Sequence, residues 1–97
     1  MDVLVTYDIA GTDSRAGARR LRRLARVLEQ YGVRVQFSVF ECRLSPERLA
    51  RLAGAVQDVI DKDQDSVIFY RFQGSFNEVR ERFGRTGMHQ IGQPWIL

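Results

Sequence analysis

The first residue of this sequence whose position could serve chemistry is an aspartate at the mouth of an apolar strand. Asp2-Val3-Leu4-Val5-Thr6-Tyr7-Asp8-Ile9 runs almost unbroken in apolar side chains to Asp8, and a polar loop containing Gly11 follows. An unpaired buried carboxylate is costly. Asp8 is therefore either a turn residue that faces water, or a metal ligand or acid–base group held on a rigid element. The second chemical feature is arginine. Lys62 is the only lysine among 15 basic residues, and the rest are arginine. A guanidinium keeps its charge at any relevant pH and forks onto phosphate, although a GC-rich coding sequence would raise arginine without any binding role. Placement says more than number. Arg19, Arg22, Arg23 and Arg26 fall on one face of a helical pattern with no acid between Arg15 and Glu29. Like charges three and four residues apart repel, and a plain solvated face usually mixes both signs. The stripe suits tracking of phosphates.

The elements that must position these groups are legible from periodicity. A helix is expected from Arg15 to Tyr31, with Thr12, Asp13 or Ser14 as its cap and Gly32 as its stop. Ala18, Leu21, Leu24, Ala25, Leu28 and Tyr31 form its apolar face, opposite the arginines. Val33, Val35, Phe37 and Val39 then alternate with polar residues, but the parity breaks around Ser38. Two strands, 33–37 and 39–44, meeting in a tight bend near Phe37-Ser38, account for the break. Ser45-Pro46-Glu47 is a strong helix start, and Leu49, Leu52, Ala53, Val56 and Ile60 carry that helix to about Ile60. Asp61-Lys62-Asp63-Gln64-Asp65 reads as a solvated turn, since it lacks the glycine and terminal glutamate of a calcium loop.

Ser66 to Gln73 is a strand apolar on both faces, which needs cover on both sides. Two helices cover one face of a four-stranded sheet, and a second copy of so short a chain is the simplest cover for the other. A homodimer packed through the sheet faces is the expectation. Beyond it, a short helix is expected over Phe76 to Phe83 and a turn over Gly84-Arg85-Thr86-Gly87; Gln93-Pro94-Trp95-Ile96-Leu97 should be pinned as an edge strand or against the partner. The whole is an α+β βαββαβ chain, ferredoxin-like, with a C-terminal extension strand. That fold hosts many functions and selects none.

Composition sets the outer bounds. Ninety-seven residues, 44% hydrophobic and 28% charged, suit one globular domain, with a core over 1–73 and an extension over 74–97. No apolar run approaches the roughly 18 residues of a membrane span, and Met1-Asp2-Val3 leads directly into a strand with no secretory signal pattern. A single cysteine, Cys42, makes neither an internal disulfide nor a cysteine-based zinc cluster. A cytoplasmic protein with no membrane association is expected. The single histidine, His89, sits in a Gly-rich tail and reads as a surface residue.

Tyr7-Asp8-Ile9 after an apolar strand, an Arg-rich helix ending in Tyr31-Gly32, and Arg34-Val35-Gln36-Phe37-Ser38-Val39-Phe40-Glu41 together resemble one family. It is the second of the two CRISPR adaptation proteins, a small metal-dependent nuclease that partners the CRISPR integrase. The similarity runs from about residue 3 to residue 72 and includes Asp63-Gln64-Asp65-Ser66. The resemblance implies a ferredoxin-like homodimer whose C-terminal segments add to the partner's sheet. It implies an endonuclease cleaving phosphodiester bonds in RNA or DNA and acting with the integrase in spacer acquisition. It places the family's metal-binding aspartate on Asp8, for Mg2+ or Mn2+. The functionally implicated tyrosine falls on Tyr7, and the Arg, Ser and Phe of the second motif fall on Arg34, Ser38 and Phe40. The family's loop-proximal arginines fall among Arg15, Arg19, Arg20 and Arg23. The Phe-Glu-Cys ending and the long Arg-rich helix look more like members described as double-strand DNA nucleases.

One carboxylate per chain is thin for a nuclease. However, magnesium often takes only one or two carboxylates, with water and phosphate oxygens completing its shell, and a two-fold axis could bring two Asp8 side chains to one ion. Glu41 is either a second acid near the site or an edge-strand surface charge, the latter being preferred. Two other functions stay open: a catalytically silent dimeric DNA-binding adaptor, and a related toxin-type ribonuclease. A single-strand RNA-recognition domain shares the fold, but its basic-glycine aromatic motif is missing here.

Overall fold

The strand that ends in Asp8 lies inside a sheet, with a neighbour on each side. In the computed structural model, which describes residues 1–85, β1 (Asp2–Asp8), α1 (Arg15–Glu29), β2 (Gly32–Gln36), β3 (Val39–Arg43), α2 (Pro46–Val59), β4 (Ser66–Phe72) and the one-turn α3 (Phe76–Val79) follow in chain order. The four strands form one sheet in the order β2-β3-β1-β4, antiparallel throughout. This is the ferredoxin-like α+β arrangement that the order of elements predicts.

The pleat of β1 divides its side chains between two faces. Val3, Val5 and Tyr7 point into the core with Ile9, and they meet Leu24 and Leu28 of α1 and Leu52, Val56 and Val59 of α2. Phe40, Cys42 and Leu44 complete that core from the β3 side. Burying each such side chain stabilises the fold by about 1.5–3 kcal/mol. The helices start where their caps dictate. The Ser14 hydroxyl accepts from the Gly17 amide at 3.1 Å, and the Ser45 hydroxyl accepts from the Arg48 amide at 3.2 Å, with Pro46 in the first helical position.

Several expected boundaries shift, each for a physical reason. α1 stops at Glu29, not Tyr31, because the Gln30 and Tyr31 amides turn to the Val27 and Leu28 carbonyls and tighten the last turn. Gly32 is the first residue of β2 and not a helix stop. A Cβ there would lie 2.3 Å from the Glu41 carbonyl oxygen and 2.5 Å from Cys42 Sγ, so only glycine permits this strand approach. The parity break resolves as two strands, as expected, with a register shift between Arg34 and Gln36 that leaves Val35 as the extra residue. The helix expected over 76–83 is the four-residue α3.

The second face of the sheet is partly covered by the chain's own continuation, so a second copy is not its only cover. The Asp2 carboxylate accepts from the Phe76 amide at 2.7 Å and pairs with Arg43. Phe76 packs edge-on to Phe72 at 5.2 Å, and Arg80 pairs with Glu41. Glu41 is therefore not an edge-strand surface charge: β3 is flanked by β2 and β1, and Glu41 is buried. Ile68 and Tyr70 of β4 stay about half exposed, at 44% and 47%, which leaves apolar surface for a partner. No helix among the described residues is long and apolar enough to cross a membrane. His89, the end of the turn expected over 84–87 and the strand expected over 93–97 lie outside the described residues.

Candidate nuclease site

Asp8 closes β1 at the edge of a cleft of about 340 Å³. Its backbone is held in register with Ser66 of β4, and its carboxylate is exposed. No hydrogen bond or ion pair links that carboxylate to another described residue. Arg34, Phe37, Ser38 and Thr12 line the same cleft, beside Tyr7. The fold thus gathers Asp8, Tyr7, Arg34 and Ser38 on one cleft from β1, β2 and the turn after β2.

Each member is held differently. Arg34 extends from β2 opposite Phe40, and its guanidinium carbon stands 5.2 Å from the centroid of the Phe40 ring. Its Nε is the single buried side-chain nitrogen or oxygen without a hydrogen-bond partner among the described residues. That nitrogen is itself closed to solvent, so the part of Arg34 that an anion would meet is the rest of the guanidinium that lines the cleft. Phe40 is fully buried between Arg34 and Tyr7, whose ring lies 6.2 Å away. It is a platform for Arg34 and does not reach the cleft. Tyr7 is buried too, and its hydroxyl donates to the Phe37 carbonyl at 2.9 Å, while its amide donates to the Ser38 carbonyl at 3.1 Å. The bend at Phe37-Ser38 needs no Asn-Gly pair because Tyr7 ties it down from the neighbouring strand. Ser38 is exposed on that bend.

Two residues next to the site escaped the sequence reading. Asp65, taken for part of a solvated turn, has a side chain with 0% exposure and pairs with Arg20 at 2.8 Å. Burial pushes its pKa up, but the Arg20 guanidinium and the Asp61 and Ala10 amides outweigh that, and the net shift is downward. Arg20 is thereby separated from the other arginines of α1. Arg19, Arg22, Arg23 and Arg26 are exposed and take no part in the ion pairs of the described residues. Phe37 was seen only as part of a parity break; it is 88% exposed on the rim of the cleft. Spacing could flag neither burial nor exposure at these positions.

The donor set bears on a metal. Among the described residues, no group of three His, Cys, Asp or Glu side chains could hold an ion. A single exposed carboxylate beside a hydroxyl and an open cleft still suits magnesium, which keeps several waters and takes one or two carboxylates plus phosphate oxygens. Thiol chemistry has no place here. Cys42 is buried, and its thiol is pushed up to about 12 by burial and by Glu41.

The sequence profile described as CRISPR associated protein Cas2 matches residues 1–78. The chain belongs to the Cas2 family. A Cas2 of Chlorobaculum tepidum, named CRISPR-associated endoribonuclease, is 49% identical over 75 residues, or 77% of this chain and 76% of the relative. A Cas2 of Halalkalibacterium halodurans, named CRISPR-associated endonuclease, is 36% identical over 97 residues, covering 100% of each chain. Among solved structures, Streptococcus pyogenes Cas2 superimposes with a TM-score of 0.77 at 39% identity, over 87% of this chain and 100% of that one. The span matched by the Cas2 profile includes Asp8, Arg34, Ser38, Phe40 and the arginines of α1.

Proposed function

We propose that this Cas2-family chain is a metal-dependent endonuclease that cleaves phosphodiester bonds in RNA or DNA, and that it acts as a homodimer with the CRISPR integrase in spacer acquisition. The observation that carries the nuclease reading is the pairing of an unengaged Asp8 carboxylate with an unengaged Arg34 on one cleft. Of the two, the buried Arg34 Nε is the group that a merely structural site would have satisfied internally; the Asp8 carboxylate is open to solvent and to an incoming ion. Asp8 would hold Mg2+ or Mn2+, with the partner's Asp8 as a second carboxylate. When bound, the ion supplies a Lewis acid for the phosphoryl oxygen and acidifies a water.

The chain's own residues do the rest. Arg34 grips a nonbridging phosphate oxygen with its charged donors and is held at its bearing by the Phe40 ring. The Ser38 hydroxyl offers a further bond to the phosphate. Tyr7 fixes the bend that carries Ser38 and takes no proton from the reaction, because its hydroxyl is committed to the Phe37 carbonyl. The exposed stripe of Arg19, Arg22, Arg23 and Arg26 holds the flanking backbone without reading bases.

The test compares wild type and Asp8→Asn on RNA, single-stranded DNA and double-stranded DNA, with Mg2+, Mn2+ or excess EDTA. Loss of cleavage in the variant and in EDTA, with nucleic-acid binding retained, supports the reading. Equal cleavage by both proteins in EDTA ends it. A second reading, a silent DNA-binding adaptor, is favoured by the unpaired arginine stripe alone. It prevails if no metal supports cleavage while Arg19/Arg22/Arg23/Arg26→Ala abolishes binding.

A further inference from the structure

We infer that Asp65 is a positioning residue for the reaction at Asp8, acting through Arg20 and the backbone of Ala10; this rests on the nuclease reading above. The Asp65 carboxylate accepts four hydrogen bonds. Oδ1 takes the Ala10 amide at 3.0 Å and Arg20 Nη2 at 3.3 Å. Oδ2 takes Arg20 Nε at 2.8 Å and the Asp61 amide at 2.9 Å. Arg20 Nη2 also donates to the Ala10 carbonyl at 3.0 Å. Ala10 is thus gripped at both its amide and its carbonyl, two residues beyond Asp8.

The rest of the loop is closed around this grip. Gly11 takes φ +63°, and a Cβ on Gly17 would lie 2.0 Å from the Gly11 carbonyl oxygen and 2.6 Å from that of Ala10. The first turn of α1 therefore lies directly on the loop. The Ser14 hydroxyl donates to the Gly11 carbonyl at 2.6 Å. Ser66, next to Asp65, is the register partner of Asp8. The last residue of the α2–β4 connection and the first of β4 thereby fix both sides of Ile9: Ser66 through the strand ladder to Asp8, and Asp65 through its side chain to Ala10. Between them only Ile9 is left, and it is buried.

A buried ion pair is a poor source of net stability compared with apolar packing. What it gives here is direction. The bidentate guanidinium fork admits one geometry, and the carboxylate at the strand end inherits it. A group that must present its oxygens to a cation and a phosphate works only within a narrow range of positions. The engagement of Arg20 also removes it from the phosphate-binding arginines and assigns it to the frame.

Full-length Asp65→Asn and Arg20→Lys test this. The first keeps size and acceptor oxygen but loses the charge; the second keeps charge but loses the fork. Three readouts are taken on each: amide hydrogen exchange at Ala10, Mn2+ binding by the loss of the free-ion EPR signal, and kcat and KM for the best substrate. In Asp65→Asn, exchange at the Ala10 amide, which donates to Asp65, should rise about tenfold, as one charged hydrogen bond is worth, with the Val5 amide unchanged. Mn2+ affinity and kcat should each fall about 10- to 100-fold, the usual effect of removing a group that orients a metal ligand, with KM little altered. Arg20→Lys should fall between this variant and wild type, and it carries the test if Asp65→Asn does not fold. Unchanged loop exchange, or unchanged Mn2+ affinity, overturns the inference; so does a kcat loss that matches only the unfolded fraction. If wild type cleaves nothing, the nuclease reading fails, and the positioning role is decided by exchange and Mn2+ binding.

Discussion

Arg34 stands over the ring of Phe40, its guanidinium carbon 5.2 Å from the ring centroid, and this contact joins the cleft to the core. Phe40 is fully buried and bears on Tyr7 from its other side. The two motif aromatics therefore work below the surface, and the cation is the part that reaches out. Such a contact contributes about 0.5–2 kcal/mol, modest for stability but enough to restrict a long side chain to one bearing.

Phe40→Leu should lower kcat more than it lowers stability. Leucine keeps most of the buried volume but offers Arg34 no π face. Unfolding free energy from urea titration should drop by no more than about 1–2 kcal/mol, whereas Phe40→Ala should cost about 3–5 kcal/mol. Cleavage rates measured alongside urea midpoints separate the two effects. An unchanged kcat in Phe40→Leu would show that Arg34 needs no platform.

Gly17 and Gly54 should respond to alanine with opposite signs. A Cβ on Gly17 collides with the Ala10 and Gly11 carbonyl oxygens, while one on Gly54 meets nothing within 4 Å. Gly17→Ala should destabilise by about 1–3 kcal/mol, as overpacking does, and disturb the loop after Asp8. Gly54→Ala, on the exposed side of α2, should stabilise by about 0.5–1 kcal/mol. Thermal unfolding of the two variants checks the pair.

Binding should weaken with salt in proportion to the α1 arginines that touch phosphate. For duplex DNA, each neutralised phosphate contributes about 0.9 to the slope of log K against log salt. Replacing Arg19, Arg22, Arg23 and Arg26 by alanine should therefore flatten the slope by as much as about 3.6. Arg20→Lys should leave it unchanged, because Arg20 is committed to Asp65. Fluorescence anisotropy between low and high salt gives both slopes.

Acid should loosen the fold at two carboxylates. The Arg43 side-chain bond lowers Asp2 against the cost of its burial, with the Phe76 amide helping. Asp65 is also lowered, Arg20 and two amides outweighing burial. Both folded values lie below the ordinary carboxylate value of about 3.9. Their contribution is therefore complete above that pH and is lost as pH falls through the folded values. The thermal midpoint should fall steeply below about pH 4. Asp2→Asn should be less stable at pH 7 and show a shallower acid slope, as the charged pairing with Arg43 is already gone.

Periodicity and punctuation were sufficient for the ladder of elements. The apolar run of β1, the apolar stripe of α1, Ser45-Pro46 and the apolar run of β4 each express a local rule that tertiary packing did not overturn. The motif residues were equally legible: Asp8, Arg34 and Ser38 do line one cleft, and the four arginines do face water. What only the folded chain decided were pairings between residues far apart in sequence. Nothing local distinguishes Asp65 from Asp61 or Asp63, nor Arg20 from Arg19 or Arg23. Asp65 is buried and Arg20 engaged because the strand register sets Ser66 beside Asp8, which carries the preceding carboxylate under the loop. Glu41 became an interior ion pair for the same reason, once the chain beyond β4 folded back over the sheet. Burial of a charge is a property of what packs against it, and no neighbour along the chain records that.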